Sequence, residues 1–310
     1  MTRAFRILVL ATLALTFVAV VVGAYVRLSD AGLGCPDWPL CYGQPLPGDI
    51  ADRDALAKAW KEMGHRYLAG TLGVLILMIT LLAWRTRKHP WLASAMLALV
   101  IFQATLGAWT VTMLLKPAIV TAHLLGGMAI LALLAWLALA QYSHSPLPRM
   151  QALRAPAAIA LAALVVQIAL GGWVSSNYAA LACPDLPLCH GEAVPAMDFA
   201  NAFHVVRELG QTPDGELLKP EALTAIHWSH RVFAVVVVVL VGWAAFSAFK
   251  VMKALGILIA GLLLLQFALG IANVAFSLPL PLAAAHNAGA ALLLLAIVVL
   301  NSFSFRGLRL

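Results

Sequence analysis

Residues 32–47 read GLGCPDWPLCYGQPLP, and residues 180–195 read ALACPDLPLCHGEAVP. Aligned, Cys35 and Cys41 fall on Cys183 and Cys189 at an offset of 148, and Gly23 and Val26 fall on Gly171 and Val174 at the same offset. Further along, QATLGAWTV (103–111) matches QFALGIANV (266–274) at an offset of 163. His123 pairs with His286 at 163, and His65 with His230 at 165. The chain is a tandem duplication. The growth in offset locates an insertion in the second copy, around AFHVVRELGQTPDGELLKPEALTA (202–225).

Of 310 residues, 63% are hydrophobic and 11% charged, too few charges to cover a soluble globule of this size. A helix needs roughly 20 apolar residues to cross the hydrocarbon core. Eight runs qualify, near 7–26, 63–84, 91–113, 119–141, 156–176, 227–249, 254–276 and 283–303. The first follows Arg3 and Arg6 as a secretory signal would, but its apolar stretch is long and has a full-length counterpart in the fifth run, so it is read as a helix. The expectation is an all-α integral membrane protein whose eight transmembrane helices form two tandem pseudo-symmetric four-helix bundles. They divide as 1–145 and 146–310 across a linker, Tyr142 to Arg154, that holds Pro146 and Pro148. An even number of helices per copy makes the repeat parallel, not inverted.

Charge sets the expected orientation. With a cytoplasmic N-terminus, the inner helix ends carry Arg3, Arg6, Arg85, Arg87, Lys88, Arg149, Arg154, Lys250, Lys253, Arg306 and Arg309. That is eleven of the twenty basic residues with no acidic residue among them, as the positive-inside rule requires. Both chain ends are then cytoplasmic and the cysteine loops lie on the outer, periplasmic side of an inner membrane. The net charge of +7 follows from this topology and calls for no nucleic acid.

Chemistry concentrates on four histidines. His65 stands beside Arg66 in EMGHRYLAGTLG (62–73), and His230 beside Arg231 in HWSHRVFAVVVV (227–238). Their companions are His123 in TAHLLGG (121–127) and His286 in AAHNAGA (284–290). Ionisable residues inside a membrane are costly, and four at repeat-equivalent places, each expected where an even-numbered helix begins, point to a cofactor. Two imidazoles facing across a bundle can hold a haem iron from both sides. Gly126 and Gly289, three residues after His123 and His286, are read as leaving room for the macrocycle. Zinc fits less well, for want of further nitrogen or sulfur ligands. Arg66 and Arg231 are candidate partners for haem propionates, since guanidinium binds carboxylate in a fork.

The copies differ three residues before the first histidine of each pair, where Glu62 stands in one and His227 in the other. Positions three apart share a helix face, so Glu62 is expected beside the first iron site as a proton acceptor or relay. His227 can face the second haem or a propionate. His89 and His144 are expected on the cytoplasmic side, and His190 and His204 in outer loops. Cys35 with Cys41, and Cys183 with Cys189, read as one disulfide per loop closing over each pocket. A redox-active thiol pair and a bridge between the repeats are the alternatives.

These stretches together resemble the haem A synthase family, membrane enzymes that oxidise haem O to haem A for cytochrome oxidases. The resemblance rests on VRLSDAGLGCPDWPLC, EMGHR, TAHLLGG, CPDLPLC, IHWSHR and AAHNAGA, and spans essentially the whole chain. It implies haem b held by His230 and His286 as axial ligands. It implies His65 and His123 at the substrate haem, with Glu62 as the catalytic carboxylate. The implied reaction takes a ring methyl through an alcohol and a hydrated intermediate to an aldehyde. The implied partners are haem O and its synthase, an electron donor or acceptor, cytochrome oxidase assembly factors and membrane lipid, and a homo-oligomer is compatible with it. The competing class is a non-catalytic dihaem b-type cytochrome that transfers electrons. It predicts two equivalent sites, against which the difference between Glu62 and His227 counts.

Overall fold

The computed structural model describes residues 3–48, 50–142 and 148–305. His144, Pro146, Arg306, Arg309 and the expected boundary between the halves lie outside them. Eight long helices carry the fold: α1 (Arg3–Leu28), α2 (Arg53–Thr86), α3 (Pro90–Thr112), α4 (Pro117–Leu139), α6 (Arg154–Ser176), α8 (Pro220–Phe249), α9 (Lys253–Ala275) and α10 (Leu280–Phe305). Two single turns, α5 (Pro148–Gln151) and α7 (Phe199–Ala202), lie between them. All eight are long and apolar enough to cross a membrane. Their outward faces carry Trp91, Leu264, Val239, Ile101 and Leu81, each more than half exposed, surface that only lipid covers favourably. The protein is a multi-pass membrane protein.

Helix α1 packs on α2, α2 on α3, α3 on α4 and α4 back on α1, while α6, α8, α9 and α10 repeat the same closed ring. The rings meet through α1 against α10, α4 against α6, and α4 against α10. Along this seam α10 is the most enclosed helix, with Ala291, Leu293, Ile297 and Leu300 fully buried. Its core continues into Leu131 and Ala135 of α4 and Ala157, Ala160 and Leu164 of α6.

Helix boundaries differ from the expected runs chiefly at α2 and α8, which begin ten and seven residues early. Polar stretches that hydropathy alone leaves out are helical here. Asp52 caps α2 by accepting the Asp54 N–H, and Pro220 opens α8 where its missing donor costs nothing. The histidines therefore do not begin their helices. His65 lies twelve residues, or about 18 Å, into α2 and His230 ten residues, or about 15 Å, into α8. His123 and His286 each lie six residues into α4 and α10.

Each ring is fastened at the end away from the cysteine loops by an arginine of its first helix. Arg6 donates to the Gln141 carbonyl at 3.4 Å and lies over the Tyr142 ring. Arg154 donates to the Ser304 carbonyl at 3.1 Å and lies over the Phe305 ring. Arg6 and Arg154 are 148 apart, and both acceptor positions are 163 apart, so the contact is the same one made twice. At the loop end, the halves grip one another directly. Arg27 donates to the Ser175 carbonyl at 3.0 Å, Tyr178 donates to Asp30, and Lys116 pairs with Glu208 of the insertion at 2.7 Å.

A hydrogen bond from a charged donor to a helix-end carbonyl contributes about 1.5–3 kcal/mol. Arg154→Ala lowers the thermal midpoint of the detergent-solubilised protein, and Arg154→Lys, which keeps the charge but loses the fork, recovers part of the loss. Equal midpoints for all three proteins would remove the clasp from the account of stability.

Candidate functional site

Within each ring the histidines occupy one diagonal and glycines the other. His65 on α2 and His123 on α4 lie on opposite corners of the first ring, and His230 on α8 and His286 on α10 on opposite corners of the second. The His65 ring lies against Gly23 of α1, and the His123 ring against Gly107 of α3. In the second half His230 lies against Gly171 of α6 and His286 against Gly270 of α9. A Cβ at Gly23 would sit 2.8 Å from Cε1 of His65, and one at Gly171 would sit 3.1 Å from Cε1 of His230. All four rings are thus seated in notches that an alanine would fill. Sequence comparison aligned these glycines without revealing what they face. Gly126 and Gly289, expected to make room for a macrocycle, instead take the side chains of Gln103 and Gln266.

The ring nitrogens are poorly satisfied. Nδ1 of His65, His123 and His286 is buried without a hydrogen-bond partner, as are Nε2 of Gln103 and Oε1 of Gln167 and Gln266. Buried polar atoms left unpaired are expensive, and several aimed into one bundle mark a place where a ligand supplies the missing partners. Among the described residues no three of His, Cys, Asp and Glu come together as a bare metal ion requires. Two imidazoles suffice for a haem iron, whose other four ligands are porphyrin nitrogens, so each pair fits an iron porphyrin.

Above each pocket sits a cysteine loop. The Cys35–Cys41 and Cys183–Cys189 disulfides are both formed. Each loop turns back through a short antiparallel bridge, Cys41 with Gln44 and Cys189 with Glu192. Both turns need two successive residues at positive φ, Tyr42 with Gly43 and His190 with Gly191, and the glycine takes that conformation freely. Asp37 accepts the N–H groups of Tyr42 and Gly43 at 2.7 and 2.8 Å, and Asp185 accepts those of His190 and Gly191 at 2.6 and 2.8 Å. The Gly43 N–H is the largest influence on the Asp37 carboxyl and holds it below its ordinary value of 3.8. Burial works the other way, and the Tyr42 N–H and the Arg66 charge lower it further.

The arginines next to the histidines hold these loops. Arg66 donates to the carbonyls of Asp37 and Leu40 at 2.9 and 2.7 Å, and Arg231 to those of Cys183, Asp185 and Leu188 at 2.8–3.0 Å. Both guanidiniums, candidate partners for propionates, are engaged on main-chain oxygens. The residues three before the histidines play one role in two chemistries. Glu62, 5% exposed, accepts the Cys35 N–H at 2.8 Å and a bond from Arg66 at 2.5 Å. His227, 4% exposed, accepts the Cys183 N–H at 3.1 Å. Among the outlying histidines, His190 contacts the Ala182 carbonyl at 2.8 Å, His89 precedes α3, and His204 sits in a surface cleft with Phe199, Phe203, Val205 and Val206.

The comparisons match this chain over nearly its whole length. Residues 6–298 fit the family model described as cytochrome oxidase assembly protein. The chain belongs to this family. A heme A synthase of Shewanella oneidensis is 44% identical over 94% of each chain. One of Caulobacter vibrioides is 31% identical over 94% of this chain and 93% of its own. One of Halalkalibacterium halodurans is 29% identical over 68% and 72%. The family relation therefore covers both rings and both loops.

Two measurements check this geometry. Gly23→Ala brings a methyl to 2.8 Å from a ring, an overpacking that costs about 1–3 kcal/mol and outweighs the roughly 0.5–1 kcal/mol that alanine gains in a helix. Gly107→Ala meets its ring at 3.4 Å, where the helix gain wins, so thermal midpoints fall for the first variant and hold or rise for the second. For the loop, a carboxyl whose folded pKa is depressed stabilises above 3.8 and stops doing so as pH falls through its folded value. Hydrogen-exchange protection of the Tyr42 and Gly43 amides, corrected for intrinsic rates, drops below that pH. It is already low at neutral pH in Asp37→Asn.

Proposed function

We propose that this protein is a haem A synthase, oxidising the ring methyl of haem O to the formyl group of haem A. The observation that carries the reading is that two rings share one ligand cradle and differ beside it, with Glu62 in the first half matched by His227 in the second. Two equal electron-transfer sites would have no use for that difference. The names of the relatives support the same reaction.

In this proposal His65 and His123 of the first half, residues 1–145, bind the substrate haem through its iron. His230 and His286 of the second half, residues 146–310, hold a resident haem b that supplies one-electron chemistry when bound. Taking the methyl to a formyl group adds one oxygen atom and, counted with water as its source, releases four electrons to the redox partner and four protons, which Glu62 accepts one at a time and passes on. It lies one turn above His65 on the same face of α2, desolvated but with its charge balanced by Arg66. Arg66 and Arg231 serve by fixing the loops that roof the pockets, which keep bulk water from the reacting carbon. The positive-inside rule, applied to the basic helix ends opposite these loops, supports both termini in the cytoplasm and the disulfides in an oxidising outer compartment. Haem O arrives from the enzyme that makes it, an external redox partner supplies or takes up electrons, and the product passes to cytochrome oxidase assembly.

The test uses the full-length protein expressed with a haem O source, its haems then extracted and separated. Wild type yields haem A and its alcohol precursor. Glu62→Gln keeps bound haem b and loses haem A by about 100-fold or more, within the range of general acid–base catalysis. Glu62→His installs the second half's way of holding the loop without a carboxylate, and it too is inactive while its loop stays ordered. Full haem A yield from Glu62→His would take the carboxylate out of the reaction, and wild type that retains two haems without converting either would be a dihaem cytochrome.

A further inference from the structure

The insertion that lengthens the second copy displays apolar side chains that a loop in water would not favour. Phe199 and Phe203 stack at 6.3 Å between centroids, and with Ala200, His204, Val205 and Val206 they line a surface cleft. Val205 is 62% exposed and Val206 83%, and between Asp198 and Arg207 only His204 can carry a charge. The backbone under these side chains is pinned. The Asp198 N–H donates to the Glu221 carbonyl at 3.1 Å, the Trp173 indole donates to the Ala202 carbonyl at 2.8 Å, and the buried Arg207 donates to the Asn177 side chain. Their exposure is therefore built into the fold.

We propose that this knuckle, Phe199 to Val206, is an interfacial anchor that lies in the lipid leaflet on the side of the cysteine loops. Its depth selects lipid as the occupant. Helices α3 and α4 have 23 residues each, about 35 Å, and cross a hydrocarbon core of about 30 Å with little to spare. The corner between them, residues 113–116, therefore lies at the edge of that core. Two contacts bring the insertion level with this corner. Glu208 pairs with Lys116 at 2.7 Å, and Val206 is at most about 7 Å of chain away from Glu208. Ala118, in the first turn of α4, packs on the apolar cluster that holds Ala202 of α7. The medium at this level is the interfacial layer, about 5–8 Å deep, into which amphipathic segments bury their apolar side. Leu114, two residues from Lys116 and 68% exposed, carries the apolar surface of α3 on towards the knuckle. The anchor is independent of what the two pockets bind.

The test places one spin label at a time on the whole protein in liposomes of phosphatidylcholine and phosphatidylglycerol. All four native cysteines are in buried disulfides, so only an introduced cysteine reacts. Val205→Cys and Val206→Cys report on the knuckle, and because both side chains are exposed neither change disturbs the core. Leu264→Cys, on the lipid-facing side of α9, and Asp214→Cys, in the exposed polar turn of the same insertion, are the references. Accessibility of each label is measured to oxygen, which concentrates in lipid, and to a water-soluble nickel chelate. The oxygen-to-nickel ratio at 205 and 206 exceeds that at 214 several-fold and approaches that at 264. Ratios at both positions equal to that at 214 would mean a loop in water and overturn the anchor. Shielding of both labels from both reagents would overturn it too, since the patch would then be covered by protein, a second copy or another chain.

Discussion

A charged or polar ring can point into a helix bundle in lipid only where the facing helix offers space and the bundle offers something to bind. Here the space is a missing Cβ at Gly23 and Gly171, where a methyl would crowd the ring, while Gly107 and Gly270 lie in ordinary contact with the other two, so a diagonal of glycines faces each diagonal of imidazoles. Everything above depends on that seating. Because His65 is followed directly by Arg66, and His230 by Arg231, the turn of helix that aims a ring inward also aims a guanidinium at the loop overhead. Ring orientation and roof position are therefore set together by one segment of backbone, and the disulfide keeps the loop short enough for a single side chain to hold it.

Duplication supplies the architecture, and small departures from it supply function. The clasp of Arg6 recurs at Arg154, the aspartate-capped turn at Asp37 recurs at Asp185, and the glycine notches recur without exception. Against that constancy, Glu62 in the first copy stands where the second has His227, beside the first histidine of each pair. Glu62 and His227 each accept a loop N–H, so the backbone job survives while the group beside the ring changes.

Much of this is visible in the sequence because hydrophobic runs and a duplicated register are long-range patterns. Eight spans, the repeat, the insertion, both disulfides and the four paired histidines can all be read from it. The starts of α2 and α8 cannot, since their polar first turns stand clear of lipid and carry no hydropathy signal. The engagement of Arg66 and Arg231 on carbonyls is equally hidden, because main-chain oxygens leave no mark on residue identity. Gly126 drew attention by its nearness to His123 along the chain, whereas the glycine that touches that ring, Gly107, lies on another helix.

Helices α3 and α9 sit at the outer edges of the assembly, each leaning on two neighbours of its own ring and turned for the rest towards acyl chains. Each also supplies one wall of an imidazole pocket, through Gly107 and Gly270. The wall against which the His123 ring rests is therefore also a wall turned to lipid, while the end of the bundle above is closed by a stapled loop.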